Sequence, residues 1–440
     1  MESLLPPEAL RAAETIRHAD VVVGIPSYNN GSTIGHVVRA VFAGLAKYFP
    51  QLTAVVLNSD GGSKDNTREA ALSAHVEDKH LMLLSTPFHV AHRLSLPYHG
   101  VPGKGSAFRL VFEMANQLGA KACAMVDSDL RSITPEWMEL LLRPILGAGF
   151  DFVAPYYQRH KYDGTITNSI VYPLTRMLYG LSVRQPIGGE FGVSPRLIRR
   201  YLEFHDWDGD VARFGIDIWM TTIAIAEGFR VCQSFLGAKI HNAKDPGADL
   251  SVMLQQVVGS VFALMEEYAP VWFRRTGSTP TQVFGFRFDV GLEPVQVKVD
   301  RMLEAFRRGF EELSEIWSVA LAPENFAAVR TLGLALSDGH SGFHMDDTLW
   351  AKVVLDFACA YRLHPVTRAT ILRSLTPLYL ARVASFVGET EALDASEVEQ
   401  TIERLCLIFE DLKPYLIDRW SGNIAPADSS KAKQEVLAHD

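Results

Sequence analysis

The chain has 440 residues, of which 48% are hydrophobic and 21% are charged, and this is the composition of an ordinary globular protein of two domains. Its 42 basic and 51 acidic residues give a formal net charge of −9. This balance excludes the general attraction to phosphate that nucleic-acid-binding proteins and polybasic membrane anchors use. An anionic ligand therefore needs a local cationic site.

The cysteines and the apolar segments point to a cytoplasmic protein without membrane association. The first 20 residues lack the uninterrupted apolar core of an export signal, and the longest apolar stretch, 252–265, contains two glutamines and is shorter than the roughly 20 residues that span a bilayer. The cysteines lie far apart without a Cys-x-x-Cys pair, so neither a zinc site nor a disulfide framework is expected. They are Cys123, Cys232, Cys359 and Cys406.

The first half of the chain alternates apolar strands with amphipathic helices. After a short N-terminal helix, Ser32 or Thr33 can cap a helix that follows the first strand, and a Gly-rich turn at 58–64 leads into a helix at 65–75. This alternation predicts a mostly parallel sheet, which binds ligands at the carboxyl ends of its strands. Strands are predicted at 21–25, 53–57, 80–85 and 122–126.

From about residue 290 the pattern is helical throughout. Asp346 or Asp347 can cap one helix, and 365–387 predicts one or two more. We therefore predict a sheet domain over 1–289, an all-helical domain over 290–423 and a polar tail over 424–440. One apolar helical stripe is formed by Val299, Met302, Phe306, Phe310, Leu313 and Trp317.

Two carboxylates follow the strand at 122–126, in the sequence Asp127-Ser128-Asp129. Oxygen ligands suit a hard cation such as Mg²⁺ or Mn²⁺, which can also hold a diphosphate. The alternative is that one aspartate caps the next helix and the other is solvated. The strand before the pair and the polar loops nearby favour the metal.

A lysine between two glycines, in Gly103-Lys104-Gly105, offers donors to phosphate oxygens, although the spacing is not that of a Walker loop. Loops at 26–30 and 58–63 add hydroxyls, amides, a tyrosine and an aspartate at two neighbouring strand ends. Taken alone, either loop could also be an ordinary turn, because these residue types are common in turns. Three further candidate segments are Gly188-Gly189-Glu190, Gly215-Ile216-Asp217 and Lys239-Ile240-His241, for which a turn, a helix cap and a structural histidine are the alternatives.

Taken in chain order, these motifs resemble nucleotide-sugar glycosyltransferases of the GT-A fold, which is Rossmann-like. Within that fold the chain is most similar to the retaining mannosylglycerate synthases and the glucosyl-3-phosphoglycerate synthases. The Gly-Gly-Glu and Gly-Ile-Asp segments with His241 are the more restrictive part of the resemblance. A helical C-terminal domain with a stretch like 343–347 resembles mannosylglycerate synthase over nearly the whole chain.

The resemblance implies a role for each motif. Asp129 and His241 would ligate a divalent metal, and Glu190 and Asp217 would be catalytic residues that orient the sugar or the acceptor. Arg159, with His160 and Lys161 as competitors, would clamp the acceptor carboxylate. The implied donor-binding residues are Pro26, Ser27, Tyr28, Asn29, Asp60, Lys104, Asp127 and Ser128. The implied acceptor-binding residues are Arg159, Thr165, Thr167, Asn168 and Gly189.

The expected activity is transfer of mannose or glucose from GDP-mannose, GDP-glucose or UDP-glucose to D-glycerate or 3-phosphoglycerate, with Mg²⁺ or Mn²⁺ and retention at the anomeric carbon. A homodimer is expected. One alternative is an inverting transferase of the same fold that acts on a polysaccharide or a lipid-linked acceptor. The other is a sugar-nucleotide-binding protein without turnover. A dinucleotide dehydrogenase is disfavoured because no Gly-x-Gly-x-x-Gly follows the first strand.

Overall fold

The computed structural model describes residues 5–74, 91–98, 102–204, 207, 209, 211, 213–240, 251–288, 291–292, 295–337 and 342–422. Its contacts divide the chain into two compact units whose segments alternate along the sequence. The first unit comprises Met1–Arg159, Leu181–Ala243 and Thr279–Glu293, and the second comprises His160–Gly180, Lys244–Ser278 and Pro294–Asp440. The domain boundary near residue 290 stays a prediction, because the second unit also contains two earlier segments.

The first unit is built on an eight-stranded sheet in the order β10-β8-β5-β7-β4-β1-β2-β3, with β6 and β9 as a separate pair. Neighbouring strands are parallel except at β7, which is antiparallel to both β4 and β5. The predicted fold class, a mostly parallel α/β sheet with a helical region, is confirmed. The strands are β1 Val21–Ser27, β2 Ala54–Asp60, β3 Ala91–Pro97, β4 Ala122–Met125, β5 Phe152–Gln158, β6 Leu181–Ser182, β7 Phe191–Val193, β8 Val231–Ala238, β9 Thr279–Pro280 and β10 Val283–Phe284.

The central strands are buried along their length, which is why they read in the sequence as continuous apolar runs. The predicted strands at 21–25, 53–57 and 122–126 are confirmed as β1, β2 and β4. The predicted strand at 80–85 lies outside the described residues. Strand β5 carries the same signature in Phe152, Val153 and Ala154, which are fully buried.

Helices cover the sheet of the first unit. Helix α2 (Ile34–Tyr48) directs Val37, Val41 and Leu45 into the core, where Trp137 and Met138 of α5 (Glu136–Ala148) also lie. The helix predicted at 65–75 is confirmed, but it is shorter than predicted. Numbered through the whole chain, the helices of this unit are α1 Pro7–Ile16, α2 Ile34–Tyr48, α3 Thr67–Ser73, α4 Lys104–Gln117, α5 Glu136–Ala148, α7 Pro195–Leu202 and α8 Ile216–Ala226.

The second unit is helical in its described residues. Asp346 caps α13 (Asp347–Leu363) by accepting from the backbone N–H groups of Thr348 and Leu349. The predicted stripe on α11 (Val299–Ala320) is buried at Met302, Phe306 and Trp317. The segment predicted at 365–387 forms the single helix α14. The elements are a π-helix at Thr167–Val171, α6 Tyr172–Tyr179, α9 Ser251–Glu267, α10 Ala269–Trp272, α11 Val299–Ala320, α12 Pro323–Ser337, α13 Asp347–Leu363, α14 Arg368–Thr390, α15 Ala395–Asp411 and α16 Lys413–Trp420.

None of the helices among the described residues combines the length and the apolar character that crossing a bilayer requires.

Candidate active site

Five charged side chains from distant parts of the sequence meet at the carboxyl edge of the sheet. Asp127 follows β4, Lys239 follows β8, and Lys104 and Asp217 lie in the first turns of α4 and α8. Glu190 reaches the same edge because β7 is antiparallel, so that the strand begins where its parallel neighbours end. The pairing of Phe191 with Met125 sets Glu190 beside the end of β4.

Lys239 is the centre of this cluster. Its Nζ donates to Asp127 Oδ2 at 2.9 Å, to the carbonyl oxygen of Gly188 at 2.7 Å and to Glu190 Oε1 at 2.9 Å. An ammonium group has three N–H donors, so these contacts use the full donor capacity of the side chain. The turn before β7 and the loop after β4 are thereby tied to the end of β8.

A second lysine continues the chain of ion pairs. Lys104 Nζ lies 2.9 Å from Asp127 Oδ1 and 3.2 Å from Asp217 Oδ2. The side chains of Asp127 and Lys104 are 20% and 16% exposed, whereas Lys239 is 5% exposed and Glu190 is fully buried. A ligand entering the site from solvent therefore meets Lys104 and Asp127 first.

Burial and the two ammonium groups shift the pKa values of the three carboxyl groups in opposite directions. Burial would raise the pKa of Asp127, but Lys104 and Lys239 outweigh it and hold that pKa far below its usual range. For Glu190 the burial dominates and the pKa lies well above its ordinary value; for Asp217 burial also raises the pKa. Asp127 is therefore the ionised partner that the two lysines share.

Gly189 is required by this arrangement on two grounds. Its backbone has φ +95°, which disfavours any residue with a side chain. A Cβ at this position would lie 2.3 Å from Asp127 Oδ2 and 3.0 Å from Lys239 Nζ. The backbone of the Gly-Gly-Glu turn therefore packs directly against the ion pair.

Side chains join the loops that carry the other predicted donor-binding residues. Ser128 Oγ donates to Asn30 Oδ1 at 2.9 Å, and Thr33 Oγ1 donates to the carbonyl oxygen of Ser128 at 2.9 Å. Thr33 occupies the N-cap position of α2, but its hydroxyl makes no cap hydrogen bond with the helix. The threonine instead holds the Asp127-Ser128-Asp129 loop against the loop after β1.

Asp60 lies at the end of β2 with its carboxylate fully engaged. Oδ1 accepts from the hydroxyls of Ser27 and Ser63 at 3.2 and 2.6 Å, and Oδ2 accepts from the N–H groups of Gly62 and Ser63 at 3.1 and 3.0 Å. These four bonds fill the usual acceptor capacity of a carboxylate. The structure thus assigns Asp60 to folding the turn, while its contact with a nucleotide stays a prediction.

The remaining residues of the first loop differ in exposure. The ring of Tyr28 is 58% exposed at the end of β1, next to the half-buried Pro26. Asn29 has φ +55°, and its Oδ1 accepts from the N–H of Lys64 at 2.9 Å. Tyr28 therefore presents an exposed aromatic ring at this edge of the sheet.

The structure describes only one of the two predicted metal ligands, Asp129. Asp129 is half-buried, and no hydrogen bond or ion pair joins its carboxylate to another described residue. His241 lies outside the described residues, but Ile240 donates to Ser132 Oγ and accepts from the N–H of Arg131, both at 2.9 Å. Within the described part of the chain, no group of three or more His, Cys, Asp or Glu residues is arranged to hold a metal.

The predicted acceptor residues fall into both units. Arg159 closes the first segment of the first unit, and its guanidinium carbon lies 5.2 Å from the ring centre of Tyr157, which Lys239 Nζ approaches to 5.4 Å. Arg159 and Lys239 therefore approach the same aromatic ring and lie near enough to interact electrostatically.

Thr165, Thr167 and Asn168 belong to the second unit. Thr165 Oγ1 hydrogen-bonds Tyr379 Oη at 2.6 Å, and Thr167 and Asn168 lie in the π-helix. Lys161 Nζ donates to the backbone carbonyl oxygens of Thr390, Glu391 and Leu393, at and just beyond the end of α14, at 2.6 to 3.1 Å. The ammonium of Lys161 is therefore occupied and is a poor alternative to Arg159.

Two residues at this edge of the sheet, Lys239 and Tyr98, were given no role by the sequence motifs. Lys239 was visible only as a lysine at the end of an apolar stretch, which is also the signature of a solvated lysine. Tyr98 follows β3, and its Oη accepts from the N–H of Gly103 at 2.9 Å, which fixes the start of the Lys104 segment. Neither role has a local sequence signal, since both depend on strand order.

No protein-family model and no curated protein matches the sequence. Among solved structures, the chain is similar to glucosyl-3-phosphoglycerate synthase from Mycobacterium tuberculosis. The complex with phosphoglyceric acid is 20% identical, with a TM-score of 0.42, over 61% of this chain and 86% of that chain. The complex with Mn²⁺, uridine diphosphate and glucosyl-3-phosphoglycerate is 21% identical, with a TM-score of 0.42, over 59% and 83%.

The complex of that enzyme with Mg²⁺ and uridine diphosphate is also 21% identical, with a TM-score of 0.43, over 60% of this chain and 83% of that chain. These are structures of enzymes that the sequence motifs resemble, and the predicted resemblance is confirmed to that extent. At TM-scores below 0.5 the match carries no argument about the ligand or the reaction of this chain.

Substitution of Gly189 tests the packing of the turn. Gly189→Ala should destabilise the protein by roughly 1–2 kcal/mol for the positive φ and by about 1–3 kcal/mol more for the collision with Asp127 and Lys239. Gly228→Ala is the matched control, since Gly228 has φ +76° and open space around its Cβ position. Denaturant unfolding of both variants measures the difference, and equal losses would contradict the packing described.

Proposed function

We propose that the chain is a metal-dependent, retaining glycosyltransferase that moves mannose or glucose from a nucleoside diphosphate sugar to D-glycerate or 3-phosphoglycerate. One observation carries the proposal. Lys104, Asp127, Glu190 and Asp217 come from four separate motifs of the resemblance, and together with Lys239 they form one continuous network at the ligand-binding edge of a mostly parallel sheet. Turn motifs that matched by chance would not be expected to meet at one place in the fold.

The donor is proposed to bind across the ends of β1, β2 and β4. The exposed ring of Tyr28 offers a stacking face for a base, and Lys104, the more accessible lysine of the network, offers its ammonium to phosphate oxygens. Asp60 supports this surface indirectly by holding the turn at Gly62 and Ser63. Tyr98 supports it by fixing Gly103.

The charge balance of the site supports a divalent cation. Three acidic side chains, Asp127, Glu190 and Asp217, lie among three basic ones, Lys104, Lys239 and Arg159, and both lysines are already paired with carboxyl groups of the protein. Asp129, whose carboxylate has no ion pair among the described residues, is an oxygen donor suited to a hard cation. Asp129 and His241 are proposed to hold Mg²⁺ or Mn²⁺, which would neutralise charge on the leaving diphosphate.

The acceptor is proposed to be held by its carboxylate at Arg159. A guanidinium binds a planar carboxylate through two parallel hydrogen bonds, and the net charge of −9 makes such a local clamp necessary. Gly189 and its turn would line the same edge, since they contact Asp127 and Lys239.

The proposed reaction needs no dedicated protein base. The bond between the anomeric carbon and the diphosphate oxygen breaks, and the acceptor hydroxyl oxygen forms its bond on the same face of the sugar. The proton of that hydroxyl passes to the departing phosphate oxygen. The chain's own residues bind and orient the reactants, and Lys104 stabilises charge that develops on the phosphate.

Metal removal and a substrate panel test the reaction itself. GDP-mannose, GDP-glucose and UDP-glucose are offered with D-glycerate or 3-phosphoglycerate, and release of nucleoside diphosphate is measured. EDTA should abolish the release, and Mg²⁺ or Mn²⁺ should restore it. Asp129→Asn should lose activity with little change in Tm, because its carboxylate bonds no described residue. Full activity in EDTA would contradict the proposed metal.

Removal of the Arg159 side chain tests the acceptor clamp. Loss of a charge-assisted pair costs roughly 2–5 kcal/mol, so Arg159→Ala should lower kcat/KM for the acceptor about a hundredfold or more. Donor hydrolysis without acceptor should be little changed. Arg143→Ala is the control, because Arg143 is 57% exposed and pairs with Glu139 on α5. An unchanged acceptor kcat/KM would assign the clamp elsewhere.

A further inference from the structure

The network of ion pairs has an accessible part and a deep part. Lys104 and Asp127 are partly exposed, whereas the side chain of Lys239 is 5% exposed and that of Glu190 is 0% exposed. Glu190 Oε1 and Oε2 lie 2.9 and 3.0 Å from Lys239 Nζ. Glu190 is therefore turned toward a lysine within the protein and has no surface open to a ligand.

Lys239 couples the deep part to the accessible part through Asp127. Asp127 Oδ2 accepts from Lys239 and Oδ1 pairs with Lys104, so one carboxylate shares its charge between two ammonium groups. If Lys239 were absent, Lys104 would be the only cationic partner within hydrogen-bond distance that Asp127 and Asp217 have among the described residues. Lys104 would then be held more tightly by the protein and would have less capacity for a ligand anion.

We infer that Lys239 and Glu190 are positioning residues that act through Asp127 on Lys104, and that Glu190 does not itself touch the sugar. The inference rests on the proposed function, since it takes the diphosphate as the anion that Lys104 binds. On this inference, the role of the Gly-Gly-Glu motif is to hold Lys239 in place. The motif's glycines serve the same end, because Gly188 supplies a carbonyl oxygen to Lys239 and Gly189 leaves room for the ion pair.

Two single variants separate this role from direct contact with the sugar. Lys239→Met should weaken binding of GDP and UDP, measured by calorimetry, about tenfold or more, and should lower kcat/KM for the donor about a hundredfold. Glu190→Gln keeps an oxygen acceptor for Lys239, so it should bind nucleoside diphosphate as well as the wild type and lose less than about tenfold in kcat. A loss of kcat above a hundredfold in Glu190→Gln, with unchanged diphosphate affinity, would indicate direct contact with the sugar and overturn the inference.

The double variant separates positioning from a merely structural role. Lys239→Met alone leaves a buried carboxylate without its partner, which should lower Tm by roughly 10 °C. Adding Glu190→Gln should recover most of that Tm, because a neutral amide replaces the buried carboxyl group that has lost its partner. Diphosphate affinity and kcat should not recover, because Asp127 is still without Lys239. Recovery of affinity together with Tm would overturn the inference.

A surface pair of the same chemistry is the control. Lys47 and Glu136 lie 3.0 Å apart with side chains 50% and 48% exposed, so Lys47→Met should leave diphosphate affinity and kcat unchanged. If the wild type binds nucleoside diphosphate and turns over while Lys239→Met keeps its affinity, the inference alone is wrong. If the wild type binds no nucleoside diphosphate, the proposed function fails and the inference fails with it.

Discussion

One carboxylate shared by two ammonium groups holds the candidate site together. Burying charges costs free energy that only close, complete pairing offsets, and a buried charge that loses its partner destabilises a protein strongly. Asp127 is paired on both oxygens, and Lys239 on all three donors. The antiparallel insertion of β7 and the ends of β4 and β8 are therefore fixed relative to one another by electrostatics as well as by strand pairing.

The sequence predicted the parts of the fold that have local causes. Buried parallel strands are continuous apolar runs, so β1, β2 and β4 were predicted at or near their observed bounds. The cap at Asp346 and the stripe on α11 have equally local signals. Strand β7 was not predicted, because three residues give too little pattern, and its direction follows from the strands on either side.

The site was harder to predict than the fold, since its contacts join residues that lie between 23 and 113 positions apart in the sequence. The motifs identified Lys104, Asp127, Glu190 and Asp217, but the sequence could not show that Glu190 faces Lys239. It could not show that Asp60 has its four acceptor positions filled by its own turn. Such facts depend on which side chains a strand order brings together, and spacing along the chain does not encode them.

The alternation of segments between the two units has a consequence for how the gene can be divided. Residues 160–180 and 244–278 precede the long helical region in sequence but belong with it by contacts. Lys413 of α16, for example, donates to the carbonyl oxygens of Met177 and Arg275. A fragment ending near residue 290 would contain these segments without their packing partners, and their apolar faces would be exposed to solvent. The helical region is thus no detachable module, and chimaeras with other sheet domains need junctions at all five crossings of the chain.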